Sequence, residues 1–218
     1  MRRTDVSYED WLDGTFGRAV SGQSSPQFVE RDDWPDPVSD QLAVEYMTRL
    51  FENSEESLRY YSDRQITAGL WELGSGDTYC VYSSEVPIEL RLRLVRSVET
   101  FFREFFANRC LPELSAGASE QASLLNIICY MWWEVFTWGW AKDEPDAERL
   151  AAQDLDVLEA VLRLTNPACK EAAIHGLGHL ADQSDQALSI IDRFITKDFG
   201  ISPELLQYAR AARTGCIQ

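Results

Sequence analysis

Two residue classes are scarce in this 218-residue chain: histidine, with two copies, and basic side chains, with 20 Lys and Arg against 36 Asp and Glu. A formal net charge of −16 repels a phosphate backbone instead of releasing its counterions, which argues against nucleic acid and against an anionic membrane surface. The five cysteines (Cys80, Cys110, Cys129, Cys169, Cys216) are odd in number, scattered, and never spaced as CxxC. They read as reduced thiols, not as a disulfide framework or a zinc site. No phosphate loop, dinucleotide fingerprint, nucleophile elbow or Cys-His pairing is legible. Sustained strand alternation is also missing; its best candidate, Tyr79 to Tyr82, is four residues long.

The longest apolar run, Leu124 to Ala141, approaches the length of a membrane span but fails as one. Glu134 inside the hydrocarbon costs about 2.5 to 3.5 kcal/mol, Asn126 adds to that, and no basic flank sets an orientation. A helix buried in a helical protein explains the run. The opening MRRTDVSYEDWLDG reaches acidic residues before any apolar stretch, so no secretory leader is read and a cytoplasmic location is the expectation.

Helical spacing is abundant. Residues 1–36 mix Gly, Ser, Pro and Asp with a short cluster (Tyr8, Trp11, Leu12, Phe16), which reads as an irregular, loosely packed arm with one short helix. Residues 37–218 read as a single all-helical domain. Asp36-Pro37 opens its first helix, with Val38, Leu42, Tyr46, Met47, Leu50 and Phe51 on one face. Ser62 and Gln65 form a capping box for a helix closing near Gly74. Pro87 opens a helix carrying Phe101, Phe102, Phe105 and Phe106, and Ser119 is the expected N-cap of the aromatic helix. The last third divides into helices at about 146–164, 167–181, 185–196 and 203–212, each preceded by a capping or proline signal.

Internal repetition connects these helices. QITAGLWELG (Gln65 to Gly74) aligns without gaps on AAIHGLGHLA (Ala172 to Ala181), pairing Gly69 with Gly176, Leu70 with Leu177 and Leu73 with Leu180. The aromatic helix fits the same frame with Trp132 at the Leu70 position. From position 70 to 132 is 62 residues and from 132 to 177 is 45, near one helical-repeat unit. Together with NPACKEAAIHGLGHLADQSDQALSIIDRFI, an Asn-Pro entry followed by a second amphipathic helix, this resembles a HEAT-type (armadillo-like) repeat. The resemblance implies an all-α fold, an α-α superhelix of stacked hairpins, and no particular reaction. The arm then serves as a cap over the end of the stack.

The repeat frame places Glu72, Glu134 and His179 at equivalent positions, with Trp71 and Trp133 just before the first two. A ridge of Trp71, Glu72, Trp133 and Glu134, joined by His175 and His179, is the candidate surface for a protein partner; the same tryptophans also suit a core. His175 and His179 lie four residues apart on one helix face, with Glu171 and Asp182 nearby, while Ala173, Leu177 and Leu180 mark the opposite, buried stripe. Imidazole and carboxylate groups so arranged can bind a divalent cation, although the pattern is not HExxH. The acidic pairs Asp32-Asp33 and Glu55-Glu56 read as solvated turns. The leading expectation is a protein-interaction module or adaptor with no cofactor. The alternatives are a small metal-dependent enzyme at the His175/His179 face and, given a basic groove, a HEAT-like nucleic-acid repair enzyme.

Overall fold

Short polar residues start most of the helices. In the structure, a computed structural model describing residues 5–17, 38–76, 78–115, 123–136, 146–196 and 201–217, the Ser7 hydroxyl accepts from the Asp10 amide to open α1 (Tyr8–Phe16). Ser39 does the same at Leu42 for α2 (Asp40–Glu52). After a one-turn α3 (Ser54–Leu58), Ser62 and Gln65 cap α4 (Asp63–Gly76) reciprocally: each backbone amide donates to the other's side-chain oxygen, at 3.1 and 3.3 Å.

Pro87 precedes α5 (Ile88–Phe101), which runs on through a π-helical turn (Phe102–Phe106) into the short α6 (Ala107–Arg109). α7 (Leu124–Tyr130) breaks at Met131 into α8 (Trp132–Val135). α9 (Ala147–Val161), α10 (Pro167–Leu180), α11 (Asp185–Thr196) and α12 (Pro203–Ala212) complete the described helices. Asn166 and Ser202 supply the side-chain caps of α10 and α12 with proline next, the arrangement their sequences announce.

The described helices pack in two rows. α2 lies on α5, α5 on α9 and α9 on α11, while α4 lies on α7, α7 on α10 and α10 on α12. Between the rows sits an aromatic core in which Phe51, Phe101, Phe102, Phe105, Phe106, Trp132, Trp133 and Phe136 are each at most 1% exposed. Trp132 stacks on Phe136 at 4.1 Å and Phe101 on Phe105 at 4.9 Å. Burying such rings dominates the stabilisation, each side chain contributing roughly 1.5 to 3 kcal/mol. No strand occurs among the described residues, so the chain is all-α as its spacing indicates. No described helix is long and apolar enough to cross a membrane.

Several local expectations need correction. α1 does not pack loosely: Tyr8, Trp11, Leu12 and Phe16 are buried in the same core as the rest, and the Tyr46 hydroxyl donates to the Val6 carbonyl at 2.6 Å. Four large apolar side chains in nine residues give this helix enough area to dock. Ser39, not Asp36, caps α2; Asp36, Pro37, Asp32, Asp33, Ser119 and Glu120 lie outside the described residues. Tyr79 to Tyr82 is a 3-10 turn, and the aromatic helix is interrupted at Met131. Glu55 and Glu56 fall in α3 instead of a loop.

One buried cation organises the start of the second half. Arg91 is 3% exposed and donates to the carbonyls of Val86 (2.9 Å) and Val81 (3.2 Å) and to the Asp146 carboxylate (2.6 Å). Asp146 has φ +60°, a left-handed conformation that Asp tolerates better than most residues.

Candidate metal centre

α10 is the most enclosed helix, with eleven of its fourteen residues buried. Such a helix needs neighbours on every side, and α7, α8, α9, α11 and α12 all contact it. Small residues permit the closest approaches. A Cβ on Gly176 would stand 2.7 Å from the Trp133 ring, so the glycine lets α8 lie against α10. A Cβ on Gly178 would stand 3.1 Å from that of Ala212, which brings in α12. These two contacts deliver Glu134 from α8 and Tyr208 from α12 to the same residue, His175.

His175 is 2% exposed. Its Nε2 lies 2.8 Å from Glu134 Oε1, and its Nδ1 lies 2.7 Å from the Tyr208 hydroxyl. One turn on, His179 places Nε2 at 3.1 Å from the same Glu134 oxygen and 3.2 Å from His175 Nε2. Two imidazole nitrogens and a carboxylate oxygen therefore form a nearly equilateral triangle. Hydrogen bonding alone cannot satisfy it: each nitrogen carries at most one proton and a carboxylate none, so at most two of the three edges are bridged. Ligand atoms on a tetrahedral zinc at about 2.0 to 2.1 Å stand about 3.3 Å apart, close to the spacing here. One cation would engage all three lone pairs together.

The electrostatics suit a cation. Burial holds the pKa of His175 below its ordinary value, with the nearby His179 acting the same way, against the opposing bond to Glu134. A neutral imidazole is the form that ligates. For Glu134 burial alone would raise the pKa, but the bonds from His175 and His179 outweigh it and hold the carboxyl below its usual value. Side-chain exposures of 35% for Glu134 and 25% for His179 leave one side open to solvent. A three-residue site with an open side is the layout of catalytic, not structural, metal centres.

Behind His175 the hydroxyls of Tyr208 and Tyr130 are 3.0 Å apart, and the Tyr130 ring packs on the imidazole at 4.2 Å between centroids. Burial, together with the Glu171 and Glu134 carboxylates, raises the pKa of both phenols, so both keep their protons.

The histidines thus do share a face with ligating chemistry, but their carboxylate comes from α8 and not from α10. Glu171 is buried and accepts from the Ser115 amide at 2.7 Å, and Asp182 is exposed beside Gly215. Among the described residues only Glu134, His175 and His179 form a metal-competent group. Of the residues of the expected ridge, Glu134 and His179 meet. Trp133 cannot be a contact surface: it is 1% exposed, and its indole N–H donates to Asp154 Oδ1 at 3.2 Å in the core. His175, 2% exposed, is likewise no contact surface. Trp71 and Glu72 are half-buried on α4. Tyr130 and Tyr208 carry no sequence signal except that Tyr130 precedes Glu134 by one helical turn.

No family model, no curated protein and no solved structure matches the chain.

Proposed function

We propose that the protein binds one first-row divalent cation through His175 Nε2, His179 Nε2 and Glu134, and uses the open side of that ion for metal-assisted chemistry. The triangle of ligand atoms at 2.8 to 3.2 Å carries this reading. Two imidazoles and one carboxylate suit zinc or iron(II), and the remaining coordination positions are free for water and substrate oxygen. There the ion can lower the pKa of bound water or polarise a carbonyl or phosphoryl group. The protein-interaction reading retains Trp71 and Glu72 but loses Trp133 and His175 to the core. The two rows of helices support a HEAT-like stack as the scaffold under either reading.

Elemental analysis of tag-free protein, followed by titration of the chelated protein with zinc and iron(II), tests the proposal. One equivalent bound by the native chain, and none by His175→Ala, is the expected result. A native chain that takes up no stoichiometric metal overturns it.

A further inference from the structure

We infer that Tyr208 is a positioning residue for this centre: its hydroxyl, able to donate to or accept from His175 Nδ1, holds the imidazole through the change of tautomer that frees Nε2 for a cation, and Tyr130 is the matching partner behind it. The inference rests on the metal-binding reading and extends it to a defined proton arrangement.

In the singly protonated form that ligates metals, His175 has a partner at each ring nitrogen before any cation binds: Glu134 at 2.8 Å on Nε2 and Tyr208 at 2.7 Å on Nδ1. A carboxylate accepts only, so the proton sits on Nε2 and donates to Glu134. Nδ1 then accepts from the Tyr208 O–H, and Tyr208 in turn accepts from the Tyr130 O–H across 3.0 Å. All contacts in this chain are bridged by one proton each.

A cation on Nε2 requires a lone pair there. The Nε2 proton leaves to solvent and, in exchange, one solvent proton reaches Nδ1 by way of the tyrosine hydroxyls, so the imidazole and both phenols stay neutral and no net proton is gained or lost. Nδ1–H now donates to the Tyr208 oxygen, the Tyr208 O–H rotates to the Tyr130 oxygen, and the Tyr130 O–H turns toward water from its half-buried position. Every link is again bridged, with the direction of donation reversed from end to end. Only a group that both donates and accepts allows this reversal, and phenols that hold their protons meet that condition. A carboxylate behind His175 would fix one direction, and a methyl group would leave a buried N–H without an acceptor. The tyrosine pair stands behind His175, so the change of tautomer falls on that ring.

The experiment pairs nitrogen-15 NMR of the imidazoles with zinc affinity measured by chelator competition. In the native protein the His175 proton is expected on Nε2 without metal and on Nδ1 with zinc. Tyr208→Phe, which removes one oxygen, is expected to weaken zinc binding about 10- to 100-fold and to shift its pH profile, together with a modest fall in the metal-free melting temperature as the buried Nδ1 loses its donor. Tyr130→Phe is expected to have a smaller effect in the same direction. A native protein that binds zinc with His175 protonated on Nε2 overturns the inference while leaving the metal site standing. So does Tyr208→Phe protein binding zinc as tightly as the native chain. A native chain that binds no metal removes both. The NMR arm needs no variant, so poor folding of a substituted chain leaves the test intact.

Discussion

α4 and α10 share a sequence frame and a packing device, yet only α10 carries the histidines of the candidate metal site. Each has a glycine on which an aromatic ring rests: a Cβ on Gly69 would meet the Phe16 ring at 2.3 Å, and one on Gly176 the Trp133 ring at 2.7 Å. In α4 the incoming ring belongs to α1, a plain hydrocarbon seat at the edge of the helix row. In α10 the ring is an indole whose N–H binds a buried carboxyl, and its neighbour in the chain is Glu134. The same close approach that merely closes the core at one place brings a ligand to a histidine at the other. Both glycines seat an aromatic ring; the candidate ligand depends on the side chain next to that ring in the chain.

The largest effect separating the two helices concerns the metal. Glu134→Gln and His179→Ala should each abolish stoichiometric zinc binding, measured by elemental analysis, because two remaining ligands leave the ion largely hydrated.

Next comes Asp154, the carboxyl behind Trp133, which has no counterpart at the Phe16 seat. Its Oδ2 is buried with no hydrogen-bond partner among the described residues, and burial pushes its pKa up to about 7 despite the bond from Trp133. The folded-state value lies above the unfolded one, so the favourable contribution is complete below about pH 4. It is lost as pH rises through about 7, because the unfolded chain ionises first. Asp154→Asn should flatten that fall and raise stability at pH 8 by on the order of 2 to 4 kcal/mol, read from urea denaturation at about pH 5 and 8. A native chain whose stability is flat between those values would show Asp154 to be ionised or hydrated.

Smaller effects should come from the glycines. Gly176→Ala forces the Trp133 ring away at a cost of about 1 to 3 kcal/mol and should also weaken zinc binding, since Glu134 moves with it. Gly69→Ala should destabilise through Phe16 without altering zinc affinity. Equal effects on zinc would erase the distinction between the helices. The smallest expected change is at Glu72, the α4 position matching Glu134: Glu72→Gln should leave metal binding as it is.

Helix entries at Ser62, Asn166 and Ser202 are readable in the sequence because capping is a local interaction, with its partners two or three residues away. α11 and α12 match their expected bounds for the same reason. Ser39 is hidden because a proline two residues earlier offers a competing signal. The break at Met131 has no sequence mark, since neither proline nor glycine stands there. In the site, the i, i+4 spacing of His175 and His179 puts two ligands on one face, but it does not reveal that His175 is buried: a helix with five neighbours encloses most of its polar positions as well, whatever its polarity pattern. Glu134 stands out by alignment and not by chemistry. Its meeting with the histidines depends on Gly176, a contact between segments more than forty residues apart that only the fold reveals.

The enclosed guanidinium of Arg91 has a consequence for how the chain comes apart. It holds the turn before α5 and the residue at the entry to α9 with the same planar group, so those two stretches, distant in sequence, share one fastener. Replacing it with leucine strands the Val81 and Val86 carbonyls and the Asp146 carboxylate together. Limited digestion of Arg91→Leu protein should then open both stretches in concert, at matched rates, while the α4 and α10 helices stay resistant.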